Sequence, residues 1–356
     1  MKRSTAGGPA CAPPGLGGVA PDDAKAVGFM LVEHFSMIAF SSAIEALRLA
    51  NRAAQRDLYR YSLWSENGRS CRASNGVEIQ VSGSFGEAQD LDMLIVCGGI
   101  DIQGADHRAL QATLRRSCTR GAAIGAVCTG TYVLAKAGLL DGYRATIHWE
   151  NLASLASEHD TVEVGSDLFE IDRNRFTCAG GTAAADMMLS LIARDHGPDL
   201  AAAVAEQLIH HRIREAGERQ RMDLRIRLGV AHPKLLHVVG LMEKTFAEPL
   251  GSQELADSVQ LSKRQLERLF LKYLGCSPAK HYLRIRLEHA RHLIRQTAMP
   301  LLTIAIESGF ASASHFSKAY LDHFGRPPSA ERKLSPEKRP ASGPAPARAL
   351  ADTAER

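Results

Sequence analysis

The sequence predicts an α/β doubly wound domain followed by an all-α domain that carries two helix-turn-helix motifs. Residues 26–196 alternate between short apolar runs and segments with helical periodicity, which is typical of a sheet with helices on both faces. Residues 250–333 contain one helix-turn-helix pattern twice, at an offset of 50 residues. We therefore divide the chain into a segment 1–24, a domain 25–198, a helical linker 199–232, a domain 233–334 and a tail 335–356.

The composition is that of a soluble protein, with 45% hydrophobic residues and a net charge of +4. No apolar run approaches the ~20 residues of a membrane span. Segment 1–24 is rich in Gly, Pro and Ala and lacks the apolar core of a signal peptide, so it and the Pro-rich tail are predicted to be disordered. The 7 cysteines include no CxxC pair, which fits reduced thiols in a cytoplasmic protein and predicts no metal site and no cofactor.

In the first domain, apolar runs predict buried strands and the helical period predicts the segments between them. The expected strands are 26–32, 59–64, 77–81, 91–97, 122–127 and 145–148, with a hairpin over 162–178. The expected helices are 38–54, 106–116, 129–137 and 183–194.

The sharpest local signal in this domain is a buried strand that ends at Cys128 and passes at once into a helix, as in a nucleophile elbow. The backbone amides of Thr129, Gly130 and Thr131 would carry partial positive charge at that helix start. We expect them to bind an anion such as a carboxylate and to lower the pKa of the Cys128 thiol. The alternative is a plain buried cysteine in a ligand pocket.

Two further landmarks follow predicted strands. His148 and Trp149 end one strand, and Thr182 begins a helix with Asp186 one turn on. Ligands of α/β sheets bind at the carboxyl ends of the strands, so we predict that His148, Trp149 and Thr182 line the same pocket. The Trp149 ring would suit a quaternary ammonium or guanidinium group. The alternatives are core packing for the aromatic pair and a helix cap with a solvated face for the other two residues.

The two helix-turn-helix copies match at the positions that define their cores and their ends. At the 50-residue offset Ser262 aligns with Ser312, Leu266 with Phe316, Phe270 with Tyr320, Leu274 with Phe324, Gly275 with Gly325 and Pro278 with Pro328. Ser252 and Thr303 are expected to cap the short first helices. A long helix over 278–296 would join the copies, with a buried stripe of Leu283, Leu287, Ala290 and Ile294.

The second helix of each copy has the arrangement that enters the DNA major groove, and the long helix would hold the two about one DNA turn, 34 Å, apart. In the first copy we assign Leu266, Leu269, Phe270 and Tyr273 to the core. The predicted DNA-contacting residues are Ser262, Lys263, Arg264, Gln265, Arg268, Ser312, Ser314, His315 and Lys318. Residues 251–334 have 13 Lys and Arg against 7 Asp and Glu, so the basic excess lies where phosphate would be met. The alternative is a helical bundle with a solvated basic face.

The second domain resembles the DNA-binding domain of the AraC/XylS family. The matching residues include Ala256, Ser262, Arg264, Leu266, Arg268, Phe270, Gly275, Tyr282, Arg286, Gly309, Phe310, Phe316, Gly325 and Pro328. The resemblance implies a transcription factor, commonly an activator, that binds promoter DNA and meets RNA polymerase.

The first domain resembles the class I glutamine-amidotransferase-like, or PfpI-type, fold, which has a flavodoxin-like sheet. The resemblance lies in residues 97–99, 125–130, 137–142, 148–149 and 179–182. Joined to the second domain, it gives a GlxA-type architecture. Residues 29–38 and 43–51 are most similar to regulators of arginine, glycine betaine and carnitine catabolism.

Enzymatic members of that fold place a histidine directly after the cysteine, where this chain has Thr129, and a carboxylate on the first helix, where Ala39 stands. A cysteine without a base and an orienting acid lacks the usual route to activation, so we predict no catalytic residue and no enzyme. The preferred function is a cytoplasmic, homodimeric activator of catabolic genes that responds to a small zwitterion. The alternatives are a cysteine-dependent amidase- or hydratase-like activity with His148 as its base, a thiol redox sensor, and a ligand-free architectural DNA binder.

Overall fold

The computed structural model describes residues 24–104, 106–297 and 299–333. The predicted disordered segments, apart from Ala24, lie outside these ranges. The described chain confirms the predicted fold class, with an α/β unit followed by a helical unit. None of the helices within these ranges is long and apolar enough to cross a membrane.

The α/β unit is built on one large sheet and two small ones. Its strands are β1 Lys25–Leu31, β2 Tyr59–Ser65, β3 Ser70–Arg72, β4 Glu78–Gln80, β5 Gly83–Ser84, β6 Met93–Cys97, β7 Ala123–Val127, β8 Arg144–Ala145, β9 Glu163–Val164, β10 Phe169–Asp172 and β11 Arg175–Cys178. The large sheet has the order β10-β11-β7-β6-β1-β2-β5. Its neighbours run parallel except for the antiparallel hairpin β10–β11. The carboxyl ends of its central strands therefore meet at one edge.

Helices cover both faces of this sheet. One layer contains α1 Met37–Ala54, α5 Ala183–His196 and α6 Pro198–Gln207, and the other contains α2 Arg108–Thr119, α3 Thr131–Lys136 and α4 Leu152–Glu158. Successive strand residues point to opposite faces. Phe29 and Leu31 accordingly pack under the first layer, and Met30 packs under the second.

Three predicted boundaries in this unit are wrong. The hairpin expected over 162–178 consists only of β10 and β11, because β9 pairs in parallel with β8 instead. The strand expected over 145–148 is only Arg144–Ala145, because the Thr146 N–H donates to the Thr177 hydroxyl (2.9 Å) instead of continuing a ladder. The helix expected from residue 129 begins with a 3₁₀ turn, Cys128–Gly130, before α3. Cys128 itself has a left-handed φ of 60°, so the regular helix starts only after it.

The connection between the units is not the helix predicted over 199–232. Helix α6 packs on α1 and α5 and so extends the first unit, and residues 208–223 contain no helix. A short helix, α7 Leu224–Leu228, then leads into the second unit. Several side chains of residues 208–223, among them His210, Arg214 and Gln220, bind the first unit.

The helical unit has two cores joined by one long helix. Its helices are α8 Pro233–Lys244, α9 Ser252–Asp257, α10 Lys263–Leu274, α11 Pro278–Gln296, α12 Leu301–Glu307, α13 Ala313–Phe324 and α14 Pro328–Lys333. Leu266 and Phe270 lie in the first core, and Phe316 and Tyr320 lie in the second. Helix α11 contributes Tyr282 to the first core and the predicted stripe, with Leu293, to the second.

The two main helices of the repeat begin and end alike. Ser262 and Ser312 accept hydrogen bonds from the N–H groups of Gln265 and His315, both at 3.2 Å. Gly275 and Gly325 close the helices in the left-handed conformation.

The caps predicted for the short first helices are wrong. Gly251 precedes α9 as its N-cap and donates its N–H to the Glu254 carboxylate (2.7 Å), so Ser252 is the first helical residue. Helix α12 begins at Leu301 after Pro300, which places Thr303 inside it.

Two left-handed glycines provide a test of how closely the second motif packs. A Cβ at Gly309 (φ 75°) would lie 2.5 Å from the Phe246 carbonyl oxygen, whereas one at Gly325 (φ 71°) meets nothing within 4 Å. We expect Gly325→Ala to cost about 1–2 kcal/mol of unfolding free energy from backbone strain alone. Gly309→Ala should cost about 1–3 kcal/mol more, because backbone must move. Urea unfolding of both variants measures this difference, and equal losses would contradict the close approach.

Candidate functional site

The outward face of α10 carries most of the predicted DNA-contacting residues of the first motif. Lys263, Arg264 and Arg268 are exposed on it. The predicted pair Ser262 and Gln265 forms a capping box, because the Gln265 side-chain oxygen accepts from the Ser262 N–H (2.8 Å) and the Ser262 hydroxyl accepts in return. These two side chains therefore fix the start of the helix that presents the cations.

Tyr273 is a correction to the core predicted for this helix. It is 39% exposed, and its ring packs at the surface 5.4 Å from the His232 ring. Leu266 and Phe270 are buried as predicted, and Leu269 is half-buried. Tyr273 lies outside the narrow stripe of α10 residues that faces the core.

The matching face of α13 presents the predicted residues of the second motif. Ser314, His315 and Lys318 are exposed, and Ser312 caps the helix. The His315 ring rests against Phe310, with ring centroids 5.6 Å apart. In the described chain the side chain of Lys318 forms no ion pair, and the same holds for Arg264 and Arg268. These charges are available to an anionic partner.

In the α/β unit, Cys128 occupies a closely packed turn at the carboxyl end of β7. A Cβ on Gly180 would lie 2.7 Å from the Cys128 Cβ, and one on Gly98 would lie 2.2 Å from the Gly130 nitrogen. Positions 98 and 180 must therefore be glycine, because a side chain at either one would collide with the turn that holds Cys128. The close approach leaves Cys128 only 9% exposed.

The expectation of an acidic Cys128 thiol is wrong. Burial raises its pKa to about 11, although the Thr129 backbone lowers it and the Glu150 carboxylate adds a further increase. The field of one short 3₁₀ turn does not compensate for the loss of water. A neutral thiol is a poor nucleophile, so the geometry of an elbow is present without an activated cysteine.

The hydroxyl groups beside Cys128 are used inside the fold. Thr129 donates to the Gly99 carbonyl (2.7 Å) and Thr131 donates to the Thr146 carbonyl (2.9 Å). These two hydroxyls are therefore not free to receive an anion at this turn.

His148 and Trp149 lie where the two units meet. The Trp149 ring is 5.5 Å from the His292 ring of α11, and the Arg221 guanidinium lies 4.6 Å from the Trp149 centroid. The Glu150 carboxylate is 3.8 Å from the Nδ1 atoms of both His148 and His292. Burial lowers the pKa of both imidazoles, so they are neutral near pH 7.

The side chains of Thr182 and Asp186 bind residues of the connection and are not free to bind a ligand. Asp186 is fully buried and accepts from the Arg214 backbone N–H (2.7 Å) and from its guanidinium (2.6 and 3.0 Å). His210 Nε2 lies 2.8 Å from the same carboxylate, and Arg214 also donates to the Thr182 hydroxyl (2.7 Å). In this conformation both predicted side chains are occupied by the chain itself.

The contacts of residues 208–223, which connect the two units, were not predicted from the sequence. The Gln220 amide donates to the Thr146 hydroxyl (2.8 Å) and to the carbonyls of Ile147 (2.9 Å) and Asp167 (3.0 Å). Arg221 covers Trp149. The only signal in the sequence is the dense charge of residues 215–227, which is equally typical of a solvated linker.

Comparisons with known proteins agree with both halves of the fold. The chain matches the helix-turn-helix domain model over residues 255–334 and the DJ-1/PfpI family over residues 25–194. A solved THiJ/PfpI family protein from Pseudomonas syringae aligns with a TM-score of 0.50 at 21% identity, covering 69% of this chain and 98% of that one. At this identity the match shows the fold alone.

Two similar relatives come from Pseudomonas aeruginosa. The HTH-type transcriptional regulator GbdR is 46% identical over 88% of this chain and 85% of its own length. The HTH-type transcriptional regulator CdhR is 43% identical over 89% of this chain and 94% of its own length. Both names describe regulators, in agreement with the expectation that the chain is not an enzyme. The chain belongs to the family of DNA-binding transcriptional regulators that join a DJ-1/PfpI domain to an AraC-type helix-turn-helix domain.

Proposed function

We propose that the chain is a transcriptional activator controlled by a small zwitterion that binds beside Cys128 and Trp149. The observation that carries the proposal is the guanidinium of Arg221 on the Trp149 ring, 4.6 Å from its centroid. The ring face is therefore suited to an organic cation and already holds one from the chain itself. A quaternary ammonium or guanidinium group of an effector would take the same position.

The carboxylate of the effector would bind at the other end of this site. The N–H groups of Thr129, Gly130 and Thr131 lie at the turn after β7, and the hydroxyls of the two threonines are already used. The Glu150 carboxylate influences both Cys128 and His148, so the turn and the aromatic pair share one electrostatic environment. We assign His148 to the wall of this site and Thr182 to its rim.

Arg221 links the effector site to DNA binding. It belongs to the connection, and the ring that it covers also contacts His292 of α11, the helix that joins the two DNA-binding motifs. An effector cation that displaces Arg221 would release this contact and change how the motifs are presented to DNA. Such a shift requires the effector to bind the two arrangements unequally, which competition with Arg221 provides.

A thermal-shift titration tests the site directly, with arginine, glycine betaine, dimethylglycine, carnitine and choline as probes. A true effector at 100 times its Kd adds about 2.7 kcal/mol of stability. We expect Trp149→Ala to abolish the shift. Arg221→Ala should increase affinity roughly two- to fivefold, since the cation–π contact of the exposed Arg221 is worth about 0.5–1 kcal/mol. Arg219→Ala, an exposed neighbour, is the control. Unchanged affinity in both Trp149→Ala and Arg221→Ala would refute the assignment.

The competing function is a thiol enzyme or redox sensor that uses Cys128. With a pKa of about 11, Cys128 should be alkylated slowly at pH 7 and about tenfold faster for each pH unit up to about pH 10, as the thiolate fraction rises. Iodoacetamide labelling followed by peptide mass spectrometry measures this rate, with half-buried Cys276 as an internal reference. A Cys128 rate that levels off below pH 8 would favour the thiol function instead.

We further propose that the protein acts in the cytoplasm as a homodimer and contacts RNA polymerase at its promoters. Membership in a family of transcriptional regulators supports this working arrangement. Sedimentation of the full chain at micromolar concentration should show a dimer with and without promoter DNA. A monomer under both conditions would contradict the dimer.

A further inference from the structure

A cleft of about 760 Å³ lies between the two helix-turn-helix motifs. It is bounded by the end of α10, the first half of α11 and the outer side of α13. We call it the intermotif cleft and define it by Lys280, Arg284, His315 and Lys318. His315 and Lys318 also belong to the predicted DNA-contacting face, so the cleft opens on that side of the unit.

The intermotif cleft is strongly basic. Lys280, Arg284 and Lys318 are exposed along it, and the one carboxylate among its lining residues is Asp322. In the described chain none of these three cations forms an ion pair. The unpaired charge is what a phosphate group would neutralise.

Arg284 is held at the cleft by a buried histidine. Its Nη2 donates to His281 Nδ1 at 3.1 Å, and His281 is only 2% exposed. The histidine ring packs edge-on against Phe270 in the first core, 5.7 Å between centroids. Burial, with the nearby Arg284 charge, lowers the pKa of His281 to about 4, so the ring stays neutral and can accept this hydrogen bond. The guanidinium is thereby tied to the core that positions α10.

We propose that the intermotif cleft binds the phosphodiester backbone of the DNA segment that passes between the two major-groove contacts. Two reading helices about one DNA turn apart require that backbone to cross the surface between them. Lys280 and Arg284 lie on α11 at that crossing and contact phosphate without reading bases. His281 is a positioning residue for Arg284. The inference rests on the proposed DNA-contacting faces of α10 and α13.

The test compares two double variants that remove the same charge. In Lys280→Ala/Arg284→Ala the logarithmic salt dependence of DNA affinity should fall by about 1.8, since each phosphate contact contributes about 0.9. Affinities for promoter DNA and for random DNA should fall by the same factor. The control Arg225→Ala/Lys244→Ala removes two exposed cations outside the cleft and should leave the slope unchanged.

A slope equal to that of the control, or a loss confined to promoter DNA, would overturn the proposal. Lys280→Gln/Arg284→Gln repeats the measurement if the alanine variant melts at a lower temperature. His281→Phe keeps a ring against Phe270 but removes the acceptor, and its slope should fall by up to about 0.9. An unchanged His281→Phe slope would overturn the positioning role.

Arg268→Ala separates this proposal from the assignment of the reading helices. If Arg268 reads a base, its loss relaxes discrimination at one base pair by roughly 5- to 150-fold. The change in salt dependence expected for the cleft variant does not depend on that result. If Arg268→Ala weakens binding to all DNA sequences equally, Arg268 does not read a base. If the salt dependence of DNA affinity is unchanged in the cleft variant, only the cleft proposal is wrong.

Discussion

The buried carboxylate of Asp186 determines how the two halves of this chain are joined. A buried charge is tolerated only when it is paired and hydrogen-bonded. The partners of Asp186 come from the connection, through the Arg214 guanidinium and backbone N–H and the His210 ring. Residues 208–223 are therefore held to the surface of the α/β unit, and a continuous helix would withdraw these partners.

Between Arg214, which binds Asp186, and Arg221, which contacts Trp149, the chain is held by further hydrogen bonds. Gln220 satisfies three acceptors near Thr146 and Asp167, and the next residue, Arg221, covers Trp149. The connection thus reaches a ring of the α/β unit that also contacts α11. A regulator needs a contact that an effector can replace, and a cation on an aromatic face is such a contact. The partners of Asp186 are less exposed than Arg221, so in the proposed mechanism they would keep the connection attached while an effector displaces Arg221.

The sequence predicted most of what depends on local pattern. The two helix-turn-helix motifs follow from apolar spacing, serine caps and glycine stops, and the large sheet follows from its apolar runs. Contacts between residues far apart in sequence leave no such pattern. Arg221 is separated from Trp149 by a long stretch of chain, and neither residue signals the other. The pKa of Cys128 was misjudged for a related reason, because burial depends on Gly180 and other distant residues.

The same long-range pairing determines which charges of the helical unit face a partner. Glu331 is 1% exposed and pairs with Arg291 (3.1 Å) and Arg326 (3.5 Å), as well as with Arg295. These arginines hold α14 against α11, so they contribute to the basic count of the segment without contributing free charge. In the described chain, Arg264 and Arg268 on α10, Lys280 and Arg284 on α11, and Lys318 on α13 form no ion pair. A net charge counted from the sequence does not distinguish these free cations from the arginines that pair with Glu331. Because electrostatic attraction to DNA depends on the charges that meet phosphate, pairing with the buried glutamate reduces the charge that these three arginines can offer to DNA.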